Sequence, residues 1–139
     1  MPLPVKPCPY CGKLMWVKTY GGERADAAFG VDVDLAGNVV VAGGFETKID
    51  LGGGVYKTAG YMDGFFLKLD PNGAPVWSSR WGAKDQDVAI AVATTADGGV
   101  YASGAYRFTL DLVSGGPTAV QGEGSKLAKP DAFVAKLER

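Results

Sequence analysis

Two cysteines stand three positions apart in Cys8-Pro-Tyr-Cys11-Gly, and they are the only thiols in the chain. The spacing is that of half a zinc ribbon, where a turn after the first cysteine offers both thiolates to one ion. A structural zinc site takes four ligands, and the sequence supplies neither a third cysteine nor a histidine. Two chains could assemble four thiolates only by pairing these tips. The same motif in a glutaredoxin-like enzyme opens a helix of a βαβ unit. Here it sits in a leader with four prolines in its first nine residues, ahead of a strand. A local turn is therefore expected at Cys8 and Cys11, with a metal shared between two chains as the alternative. The absence of histidine also removes Ser-His-Asp and Cys-His catalysis, imidazole ligation and the histidine pH switch.

The remaining chemistry lies in aromatics and carboxylates. Trp16, Lys18 and Tyr20 share one strand face, as do Trp77, Ser79 and Trp81. Such rows stack on sugar rings or fill the space between neighbouring sheets, and packing is the expected role. Asp32, Asp34 and Asn38 have part of a calcium-loop spacing but lack its later acidic ligand, so no metal or other cofactor is expected. Asp26 and Asp87 are expected to cap turns by accepting backbone N–H bonds, and Asp63 and Asp131 to do the same or to pair with cations. Lys68 and Lys136 are expected to be solvated or paired. The glycine-rich segments 52–60 and 114–129 have loop composition; Tyr56, Tyr61, Gln121 and Glu123 in or beside them are the best places for ligand contact. No set of residues has the pattern of a catalytic centre, and a non-enzyme is expected.

Short strands must position these groups. The 139 residues hold 21 glycines and 8 prolines, which suits tight turns and opposes long helices. Lys+Arg 14 against Asp+Glu 15 gives a net charge of -1, so no field draws nucleic acid or an anionic membrane. No apolar run has the form of a signal peptide or reaches membrane-spanning length, so membrane insertion is not expected.

The chain repeats itself. Shifted by 61 positions, Trp16 falls on Trp77, Tyr20 on Trp81, Gly21 on Gly82, Asp26 on Asp87, Val31 on Val92, Gly43 on Gly104 and Phe45 on Tyr106. Seven extra residues then change the register to 68, which brings Asp63 onto Asp131, Phe65 onto Phe133 and Lys68-Leu69 onto Lys136-Leu137. Alternation predicts strands over 29–35, 39–45, 65–69 and 76–81, and again over 90–95, 100–106 and 133–137. Tight turns between them predict four-stranded antiparallel meanders.

The stretches Asp34-Leu-Ala-Gly-Asn-Val-Val-Val-Ala-Gly-Gly-Phe45, Asp63-Gly-Phe-Phe-Leu-Lys-Leu-Asp-Pro-Asn-Gly73 and Trp77-Ser-Ser-Arg-Trp-Gly82 resemble the SBBP-type β-propeller repeat. The resemblance runs from about Lys13 to the C-terminus. It implies one propeller blade per repeat and an extracellular or cell-surface setting, since the family occurs largely in surface-associated or secreted bacterial multi-repeat proteins. The family signature defines a scaffold and carries no catalytic residues.

The expected fold is thus all-β, with two four-stranded antiparallel propeller blades, blade 1 over 26–82 and blade 2 over 87–139, behind a leader at 1–12. A blade buries both faces against neighbours, so two alone leave apolar surface open. Residues 13–21 align with the outer strand 76–81, while the second blade lacks an outer strand of its own. The leading strand of one protomer is therefore expected to complete the last blade of the next, head to tail, in a closed ring or a filament. The expected partner is the chain itself in a structural role; an oligomeric, lectin-like propeller that binds glycans is the alternative.

Overall fold

Runs of alternating apolar residues, cut by Asp, Asn and Gly, give β-structure throughout. The computed structural model describes residues 12–112, 120–122 and 129–137; among them there is no helix, hence none long and apolar enough to cross a membrane. The strands are β1 (Asp26–Val33), β2 (Val39–Phe45), β3 (Lys48–Asp50), β4 (Val55–Lys57), β5 (Asp63–Leu69), β6 (Pro75–Trp81), β7 (Val88–Thr94), β8 (Val100–Tyr106), β9 (Thr109–Leu110), β10 (Val120–Gln121) and β11 (Asp131–Leu137). The first sheet has the order β1-β2-β5-β6 and the second β11-β8-β7, both antiparallel.

Three connections share one turn. Asp34 N–H donates to Asn38 O (3.0 Å) and Gly37 N–H to Asp34 O (2.9 Å); Asp70, Gly73 and Ala74 repeat the pattern, as do Thr95, Gly98 and Gly99. Gly37, Gly73 and Gly98 each sit near φ +80°, a left-handed conformation that glycine adopts without steric cost. The leading carboxylates Asp34 and Asp70 also accept backbone N–H groups from two and four residues ahead. Each sheet carries a bulge at the same place, between Ala28 and Gly30 in β1 and between Ala89 and Ala91 in β7.

The sheets stack so that one face of the first meets one face of the second. Ala42, Phe66 and Trp81 of the first sheet pack with Ala89, Ala102, Tyr106 and Phe133 of the second, with Leu110 closing the end. Trp81 lies edge-on to Phe133 (centroids 4.8 Å apart) and stacks on Phe66 (6.1 Å). The other face of the first sheet, with Phe45, Phe65, Leu67 and Leu69, is covered at one end by Ile49 and Leu51. β5 is thus buried on both faces along its whole length.

One expectation needs correcting. The segments 52–60 and 114–129, read as loops, each contribute a short strand: β4 pairs with β3, and β10 pairs with β9. Strands of two or three residues are too short to display alternation, but Ile49 and Leu110 are buried apolar anchors at matching positions. The leading segment 13–21 pairs with no strand among the described residues of its own chain.

Candidate functional site

The outward face of the first sheet is where the chain leaves apolar surface under an incomplete cover. The leading segment crosses this face: Trp16 Nε1 donates to Pro71 O (3.1 Å), and Tyr20 packs on the Phe45–Phe65–Leu67 cluster. Between segment and sheet lies a cavity of about 410 Å³. Its floor is Val31, Val39, Val41, Phe65, Leu67 and Leu69, and its polar rim is Lys18, Thr19 and Asp26.

The second sheet shows what a full cover looks like. Its inner face meets Trp81 and Phe66 as core and Trp77 at the edge. Tyr20 and Trp16 stand 61 positions before Trp81 and Trp77, and they lie over the first sheet as those two lie over the second. The hydrogen bonds agree. Gly22 N–H donates to Asp26 Oδ2 at 2.7 Å, and Ala83 N–H donates to Asp87 Oδ2 at 2.7 Å. Close approaches agree too: a Cβ on Gly43 would meet Ala27 O and the Phe65 ring, and one on Gly104 would meet Val88 O and the Phe133 ring. The leading segment therefore occupies over the first sheet the place that β6 takes over the second. Among the described residues none occupies the place of Phe66, and the cavity lies there.

A carboxylate cluster sits at the seam between the sheets. Asp63 and Asp87 are fully buried, and a Cβ on Gly82 would lie 2.9 Å from Asp63 Oδ1 and 3.1 Å from Asp87 Oδ2. Asp63 Oδ2 accepts from Ala59 N–H and from Arg80, while Asp63 Oδ1 has no hydrogen-bond partner. Burial pushes Asp63 above the ordinary carboxylate range, against the pull of these donors. Burial raises Asp87 as well, against the N–H groups of Ala83 and Arg107, and the charges of Asp63 and Asp85 add to the rise. Neither carboxylate reaches solvent, so the pair joins sheets rather than facing a substrate.

The other acids also act within the fold. Asp34 is held far below its usual range by Asn38 and by the Lys68 ammonium 2.9 Å away, which leaves no oxygen of Asp34 free for calcium. Asp32 accepts from Thr94 N–H and Oγ1 across the seam, which lowers its pKa. Lys68 is therefore paired. Lys136 is exposed and stands 5.7 Å from the Tyr101 ring centroid.

Of the residues singled out in the sequence, Trp16 and Tyr20 come together at the cavity. Trp81 is 0% exposed and offers no ring face to a ligand, whereas Trp77 is half-buried at the edge of the same core. Tyr56 donates to Ser78 O or shares a proton with Ser78 Oγ at the hairpin, away from Tyr61, which is exposed. Gln121 contributes backbone to β10, and Cys8, Cys11 and Glu123 lie outside the described residues. The cavity's floor was missed because alternation marks an apolar face without saying what covers it. No protein-family model matches the chain, and no curated protein matches it.

Proposed function

We propose that the chain is a non-enzymatic structural module of the SBBP propeller-repeat type, which completes its fold by head-to-tail self-association. The observation that carries this is the leading segment, set over the first sheet where β6 stands over the second. β6 owes its conformation to pairing with β5, and among the described residues Trp16 to Tyr20 have no such partner. β11 has the complementary need: among the described residues it pairs with β8 alone, whereas its counterpart β5 is flanked by β2 and β6. An unpaired edge in a chain that also carries a matching donor segment favours exchange between copies, and a heterologous contact of this kind closes into a ring or runs on as a filament. Light scattering followed by electron microscopy tests it. Particles of several protomers, lost on deletion of residues 1–20, are expected; a monodisperse 14.5 kDa species refutes the proposal.

A second reading is supported by the cavity's aromatic wall. Trp16 and Tyr20 beside Lys18 and Asp26 give apolar faces with a few polar groups, the make-up of a glycan or small-molecule site. A glycan array decides between them: binding abolished by Trp16→Ala, with assembly unchanged, favours a lectin-like module.

A further inference from the structure

Given the self-association proposed above, we infer that the exposed face of the second sheet, centred on Val134 and Tyr101, seats in the cavity of a second copy. This goes beyond strand pairing: it assigns both surfaces of a sheet-on-sheet contact and the side chains that meet there.

The internal seam supplies the template. Where the first sheet meets the second, Val40 and Phe66 are almost wholly buried, at 0% and 1% exposure. Their counterparts in the repeat are Tyr101 and Val134, which are 41% and 80% exposed. The receiving side is matched in the same way. The inner face of the second sheet carries Ala102, Ala135 and Leu137, and the cavity floor carries their counterparts Val41, Leu67 and Leu69. Propagating the seam by one repeat therefore brings Val134 over Leu67 and Phe65 of the next copy, into the space beneath Tyr20.

One polar feature of the two surfaces changes in concert. The internal seam is crossed by a polar link from Asp32 to Thr94. Moved by one repeat, Asp32 becomes Ala93 and Thr94 becomes Val33, so both partners turn apolar together. At that position neither surface strands a buried polar group against the other. The backbones of β1 and β7 also approach closely, with a Gly30 Cβ position 2.8 Å from Ala91 Cα. Between copies Ala91 stands in the place of Gly30, so its Cβ requires the two backbones to sit slightly farther apart there than at the internal seam.

The test uses two variants of the full chain, each blocking one surface with a carboxylate. Val134→Asp alters the docking face, and Val31→Asp alters the cavity; both side chains are largely exposed, so the fold tolerates them. Each variant alone is expected to associate on the order of 100-fold more weakly than the parent, because its carboxylate would be buried without a partner. Mixed, each still has the surface the other lacks. The mixture should form dimers of twice 14.5 kDa and nothing larger. Val76→Asp, on an exposed position of β6 outside both surfaces, should assemble like the parent. Parent-like assembly of Val134→Asp and Val31→Asp would overturn the face assignment and leave strand exchange standing. A parent protein that is itself monomeric would sink both.

Discussion

Trp81→Ala measures the seam that joins the two sheets. The indole is fully buried between Phe66 and Phe133, over Gly64, whose absent Cβ would lie 2.1 Å from the ring. Truncating a buried tryptophan to alanine costs about 3–5 kcal/mol. One contribution runs the other way: Trp81 Nε1 is buried with no partner, and removing it relieves about 1 kcal/mol or somewhat more. The net loss is then about 2–4 kcal/mol. For 139 residues the unfolding entropy corresponds to about 0.3 kcal/mol per degree, so the melting temperature should fall by roughly 7–14 °C in scanning calorimetry. Trp81→Phe keeps most of the ring and drops the unpaired N–H, so it should lose less than about 1.5 kcal/mol. Tyr20→Ala, at the matching but half-open position, should cost the unassembled chain less than Trp81→Ala. If Trp81→Ala melts within about 2 °C of the parent, or Tyr20→Ala costs as much, then the first seam is not a filled version of the second.

Stability should respond to pH with two opposing limbs. Asp63 and Asp87 have raised pKa values in the fold, so they bind protons more tightly folded than unfolded, and stability rises as pH falls through their folded values towards about 4. Asp32 and Asp34 are lowered, so their contribution is present above about 4 and is lost below it. Urea midpoints should peak in mild acid; a steady decline from pH 7 to 4 would count against the raised pair. Gly82→Ala should destabilise by about 2–3 kcal/mol, because φ there is +134° and the new methyl meets Asp63 and Asp87, while Gly53→Ala, in open surroundings, should stay within about 0.5 kcal/mol in denaturant titrations. Lys68→Ala removes the ammonium from the largely buried Asp34 and should move the onset of acid unfolding to higher pH, followed by circular dichroism.

Much of the fold was legible in the residues. Val39–Phe45 and Val100–Tyr106 stand as strands at the ends that alternation marks, because a strict two-residue period and a glycine-bearing turn leave little choice of register. The capping roles of Asp26 and Asp87 follow from their place before a strand. Other strand ends moved: β1 starts at Asp26 and stops at Val33, since the bulge at Ala28/Gly30 shifts the phase.

What the sequence by itself determined is the order and pairing of the long strands and the matching of positions 61 and 68 apart, because these depend on local periodicity and turn chemistry. Tertiary structure alone decided which apolar face is covered and by what. Phe66 and Val134 occupy the same place in their repeats, yet one is sealed and the other faces solvent. Burial depends on what lies across the face, and no property of a strand's own residues specifies its neighbour.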